Sequence, residues 1–206
     1  MSYTHLVYVN ITQEEALNRI NECDNISPYS TYPLSCTERS FRILGLFTDA
    51  TYRQLFTENC SRNLHDISTA TSRACGKPVE PILKPINSIL NNLPKPTQGF
   101  NACAVFLFHE SNNEKGHTVI ATKDINGITT IEDTSVNKQY SGRPNEISQQ
   151  INADGYMVTA AVSIYKTDSP LKDTIIITPL GGRRKTKRRK TKRKNNKMKS
   201  NKNSRK

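Results

Sequence analysis

The sequence predicts an α+β fold in which N-terminal helices pack against a mainly antiparallel sheet. Three observations carry this. Two helix-start signatures fall in the first fifty residues. A compact apolar strand, Asn101–Phe108, opens the second half. An Asn126-Gly127 pair then joins two further strand-like runs, a strong hairpin signal.

The elements follow in order. His5–Val9 (HLVYV) reads as a first strand. Thr12 and Glu15 form a capping box, with Ile11 and Ala16 spaced as a staple, and Ala16, Leu17 and Ile20 give a short apolar face. That helix should end before the polar, turn-forming segment 21–33. Ser35-Cys36-Thr37-Glu38 repeats the box, with Ser35 as cap and Glu38 as its reciprocal partner. It opens a helix over about Cys36–Leu44 that Gly45 loosens or ends. Asp49 can cap another helix carrying Tyr52, Leu55 and Phe56. Prolines at 78, 81, 85, 94 and 96 bound a short helix expected over Ile82–Leu93. Strands are expected at Asn101–Phe108, His117–Thr122, Ile128–Asp133, Gly155–Tyr165 and Thr174–Thr178, with a helix inside Gly142–Ile151.

Charge divides the chain. Of 30 Lys/Arg, fifteen lie in 183–206, which holds no Asp or Glu, leaving 15 − 18 = −3 for residues 1–182 against a total of +12. Two regions follow: a domain over 1–180 and a basic tail over 181–206, with Gly181-Gly182 as hinge. The tail has no apolar anchor and repels itself, so disorder is expected there. Such a run neutralises phosphates without reading bases, so non-specific nucleic-acid binding through the tail is expected, while the acidic-on-average domain makes a poor basic platform.

No apolar run reaches membrane-spanning length, and the first residues lack the features of a secretory signal, so no transmembrane insertion and an intracellular, non-secreted protein are expected. Five scattered cysteines form no CxxC and no paired scaffold. Cys60, His65 and Cys75 suggest metal only by coincidence of fold, and neither metal nor cofactor is expected.

Cys36 carries the chemistry. In a first helical turn, unpaired N–H groups and the helix field favour a thiolate and supply donors for an oxyanion; the competing role is a buried, inert thiol. The backbone N–H of Cys36 would serve there, with Asn25 or Tyr32 as helpers. His117 opens a strand directly after Gly116 and is the candidate base and acid, although an ordinary surface histidine would look the same. His109 is an alternative base, but alternation puts it on a face with Cys103, Val105 and Leu107. Asp133, sixteen residues beyond His117, is the candidate orienting group.

Register decides whether these residues meet. A two-residue Asn126-Gly127 turn places Ile120 opposite Asp133 and sends His117 to the other face. A five-residue loop, 123–127, pairs His117 with Asp133 on one face; a bulge would also repair the mismatch. Asn137 and Asp124 compete as orienting groups, and Glu132 fits less well if Asp133 faces inward.

A cysteine opening an N-terminal helix (LSCTERSFRILGL), then Gly-His opening a strand and an Asp ending its partner (GHTVIATKDINGITTIEDTS), resembles the papain-like and transglutaminase-like cysteine hydrolase superfamily. The resemblance covers roughly 34–135 and implies a papain-like fold. It also implies a thiol hydrolase cleaving a peptide, isopeptide or side-chain amide bond of a protein or peptide substrate. Cys36 would be the nucleophile, His117 base and acid, and Asp133 orienter. The chain departs from it in having no Trp, no Gln within 25–35 and Thr118 after the histidine, so a catalytically inactive structural or interaction module is the alternative. The Gly-Gly hinge and basic run resemble C-terminal tails of large nucleocytoplasmic DNA virus proteins, which implies a viral protein acting in the host nucleus or in the virion.

Overall fold

A computed structural model describes residues 3–26, 35–46, 72 and 78–167. The helix expected after Asp49, the strand at Thr174–Thr178, and the tail lie outside those residues.

The described part is a mixed structure built on one antiparallel sheet. In chain order it runs β1 (Tyr3–Leu6), β2 (Val9–Ile11), α1 (Gln13–Ile26), α2 (Cys36–Ile43), β3 (Glu80–Pro85), α3 (Ile86–Asn92), β4 (Phe100–His109), β5 (Asn112–Asp124), β6 (Thr129–Asp133), β7 (Lys138–Ser141), α4 (Pro144–Ala153) and β8 (Tyr156–Thr167). The spatial order is β1-β8-β4-β5-β6-β7, with β2 paired to β4 and β3 to β8.

Alternation along the strands sends two apolar sets to opposite faces. Cys103, Val105, Leu107, Val119, Ala121 and Ile131 pack with Ile86, Ile89 and Leu90 of α3 and Ile147 and Ile151 of α4. Ala102 and Ile120 pack with Ala16 and Cys23 of α1 and Phe41 and Ile43 of α2. The sheet is therefore a middle layer with helices on both faces. Burying a side chain such as Ile147 or Phe41 contributes about 1.5–3 kcal/mol.

Several expectations change. The segment His5–Val9 is two strands. Tyr3–Leu6 pair with residues 164–167 of β8, the Val7 amide donates to the Ser163 carbonyl (2.9 Å), and Val9–Ile11 cross to residues 100–102 of β4. Ile164 of β8 has Glu80 of β3 as a partner as well as Leu6 of β1, so β1 lies on the β4 side of β8. β1 and β2 thus fill the wedge where β4 and β8 diverge. Strands come from both ends of the described residues, so helices do not simply precede them.

α1 has the expected cap: the Thr12 hydroxyl accepts the Glu15 amide (3.2 Å) and the Glu15 carboxylate accepts the Thr12 amide (2.8 Å). It runs past residue 21 to Ile26, because Cys23 is buried on its inner face and Asp24 pairs with Arg39 of α2 at 2.7 Å. Residues 82–85, expected to begin a helix, belong instead to the strand Glu80–Pro85 along β8. Tertiary pairing overrides the proline-bounded pattern, and Pro81 and Pro85 are tolerated on an edge. The helix is only Ile86–Asn92. β7 went unforeseen, since of its residues only Tyr140 is buried.

Candidate active site

α2 begins where expected. Ser35 is its N-cap, and its hydroxyl accepts the Glu38 amide at 3.2 Å. The reciprocal half of the box is altered: the Glu38 carboxylate accepts from Arg42 Nε and Nη2 (3.1 and 2.9 Å). Leu44 is the C-cap, and Gly45 follows at φ +72°, a backbone state that ends the helix. Cys36 is thereby fixed in the first turn, partly exposed, whereas Cys23 and Cys103 are buried.

The hairpin supplies the other two residues. β5 and β6 pair from Lys123↔Thr129 to Ile120↔Glu132. Five residues, 124–128, therefore lie between the last paired positions. The loop is five residues long as in one of the two expected registers, but shifted by one position, so Glu132 stands opposite Ile120. The Asp124 carboxylate sets it by accepting the amides of Asn126 and Ile128, both at 2.8 Å, while Gly127 takes φ +85°. In this register His117 and Asp133 share a face, diagonally related, and His117 Nε2 meets Asp133 Oδ2 at 2.6 Å. The second Asp133 oxygen accepts the Ser135 amide at 3.0 Å.

Cys36 arrives from the helical layer on the opposite face. The β5–β6 pairs stop at Ile120, so the edge of Thr118 is open toward α2. Its N–H and C=O point the same way in an antiparallel strand. The amide donates to Cys36 Sγ at 3.4 Å, and the carbonyl accepts from Ser40 Oγ at 3.2 Å. The Thr37 and Thr118 hydroxyls bond at 2.7 Å and are buried. The start of α2 replaces β6 as the neighbour of β5, which brings the sulfur within hydrogen-bonding reach of the imidazole. With Nε2 on Asp133, Nδ1 is the ring nitrogen left for Cys36.

The electrostatics follow from these contacts. Burial pushes the Cys36 thiol up, but hydrogen bonds from His117 and the Thr118 amide, with the imidazolium charge and the Thr37 hydroxyl, outweigh it and bring the thiol down to about 7. The Asp133 and Cys36 hydrogen bonds raise His117 to about 9 against the effect of burial. Burial raises Asp133, yet the hydrogen bond and charge of His117 and the amides of Ser135 and Val136 hold it below the ordinary value. Near neutral pH the favoured pair is thiolate and imidazolium. Cys103 shows the contrast: burial alone pushes it up to about 12.

The competing residues are placed elsewhere. Asp124 is committed to its loop, and Asn137 is exposed in the β6–β7 turn at φ +52°. Glu132 is on the other face of β6 from Asp133, as expected. Bulges on both flanks of β4 before His109 shift that residue out of simple alternation, and it lies against Tyr156 (ring centroids 4.9 Å apart). Asn25 is exposed near the end of α1, and Tyr32, Cys60, His65 and Cys75 lie outside the described residues.

Two contributors escaped sequence reasoning. Tyr156 of β8 stacks on His117 (6.2 Å, 25°) and separates it from His109. Only the tertiary pairing of β8 with β4 brings it there. Gly116 gives space: a Cβ on it would overlap the Phe106 ring and lie 2.7 Å from the Leu107 carbonyl oxygen. Its position directly before a candidate histidine was the available signal.

Among the described residues no helix is long and apolar enough to cross a membrane. Against known proteins, the chain matches no family model, and a search of curated proteins gives no match.

Proposed function

We propose that this chain is a thiol hydrolase acting on a peptide, isopeptide or side-chain amide bond. The observation that carries the reading is the linked arrangement of Cys36, His117 and Asp133, with the nucleophile in a helical first turn and the imidazole locked at 2.6 Å by a buried carboxylate. The Cys36 thiolate attacks the carbonyl carbon, and first-turn N–H groups receive the developing oxyanion. His117 gives its proton to the leaving nitrogen as the C–N bond breaks and a thioester forms. The neutral imidazole then takes a proton from water, whose oxygen attacks the thioester. The acid leaves, and the pair is restored.

A papain-like arrangement and a domain ending near residue 180 belong to the same proposal. The tail, at +15, adds contact with nucleic acid and localises the hydrolase there. The deciding experiment offers fluorogenic peptidyl, isopeptidyl and glutaminyl amides to the full chain, to Cys36→Ser and to His117→Ala. Turnover by the parent chain that disappears in Cys36→Ser supports the reading. Equal alkylation of Cys36, Cys23 and Cys103 in the folded protein at pH 6 defeats it and selects the non-catalytic interaction module.

A further inference from the structure

A groove of about 910 Å³ lies between α1, α2 and the end of β6. Asp133 lines it and also holds His117, so the groove borders the carboxylate end of the site. Arg39 lines the opposite side, one helical turn beyond Cys36.

Its charges are unevenly satisfied. Arg39 is paired with Asp24 at 2.7 Å, Asp133 with His117, and Lys138 with Asp154. Glu132 also lines the groove, with neither a hydrogen-bonding nor an ion-pair partner among the described residues, and burial raises its pKa. A half-buried carboxylate without a cation is costly, and a cation brought by a ligand would offset that cost. Two further polar atoms of residues lining it, Arg39 Nε and Thr134 Oγ1, are buried without hydrogen-bond partners among the described residues.

Building on the hydrolase reading, we infer that this groove is a substrate subsite selecting a cationic side chain, a Lys or Arg of a basic polypeptide, with Glu132 as its counter-ion. Two sources offer this chemistry: a separate basic substrate, and the chain's own Lys/Arg-rich residues 183–206.

The test is fluorescence anisotropy of dye-labelled hexalysine with the full chain and with Glu132→Gln. Residues 1–182 carry −3, so it is the loss on Glu132→Gln, not binding by itself, that reads the site. Saturable binding that weakens at least fivefold in Glu132→Gln is expected. No binding, or binding that Glu132→Gln leaves unaltered, overturns the inference. Changing the basic residues between 183 and 194 to Gln, in both backgrounds, separates the sources. A gain in affinity only where Glu132 is present identifies the tail as occupant; an equal gain in both shows simple repulsion and leaves an external basic substrate. Alkylation of Cys36 is followed separately, so failure of the nucleophile and failure of the subsite give different signatures.

Discussion

The main-chain amide of Thr118 donates to the sulfur of Cys36, across 82 positions of sequence. The residue after His117 thus holds Cys36, while its side chain and carbonyl anchor Thr37 and Ser40 of the same helix. A shift of β5 would move Cys36 and His117 together.

Alkylation of Cys36 by iodoacetamide should rise with an inflection near pH 7, below that of Cys23 or Cys103, both of which burial raises. In His117→Ala the inflection should move toward the ordinary thiol range. At pH 7 a two-unit rise cuts the thiolate fraction about fiftyfold, and the greater nucleophilicity of the more basic thiolate restores roughly six- to tenfold, so a net loss of about five- to eightfold is expected. Mass spectrometry of each cysteine against pH reads this.

Asp133→Asn should lower the His117 pKa from about 9 toward its ordinary 6.5. The sign for stability follows. A group whose pKa is raised by folding stabilises fully below its unfolded value, and that contribution fades as pH climbs through the folded one. Between pH 6.5 and 9 the parent chain should therefore lose stability relative to Asp133→Asn. Imidazole NMR titration and urea unfolding at several pH values measure the two effects.

Gly116→Ala should destabilise by about 1–3 kcal/mol, because the new methyl overlaps the Phe106 ring. It should also slow Cys36 alkylation by displacing the neighbouring His117. Adding Phe106→Leu should recover part of both. Unchanged denaturation midpoints in Gly116→Ala would contradict the close approach.

Thr118→Val leaves the buried Thr37 hydroxyl without its 2.7 Å partner and should cost about 1–3 kcal/mol. Thr37→Val together with Thr118→Val should recover much of this, since neither polar group is then stranded. A double-mutant cycle of unfolding free energies checks it, and additive losses would refute the pairing.

The tail makes a separate prediction. Full-length protein should bind duplex nucleic acid without sequence preference, with a log–log salt slope of roughly 0.9 per phosphate contacted. Truncation after Gly182 should abolish most binding. A truncated chain that retains affinity and slope would place the determinant in the domain.

Local features were legible where chemistry acts over a few residues. The Ser35 cap set the start of α2 and the first-turn location of Cys36. Both Asn126-Gly127 and the strand runs announced the hairpin. Its register was open, because flat alternation in ITTIED fits either face, and the choice fell to amide capture by Asp124. The wedge of β1 and β2, the edge strand at Glu80–Pro85 and the stacking of Tyr156 on His117 depend on pairings with β8, which is distant in sequence. Short-range patterns hold no record of them.

The N-terminal wedge has a consequence for synthesis on the ribosome. Tyr3 pairs with Thr167 and Leu6 with Ile164, so β1 waits for β8 before it can dock. Cys36 emerges early, yet the β5 edge that polarises it is translated some eighty residues later and the β8 support later still. A nascent chain therefore carries an ordinary, weakly ionised thiol. The contacts that lower the Cys36 thiol therefore form only once β5 has joined the sheet.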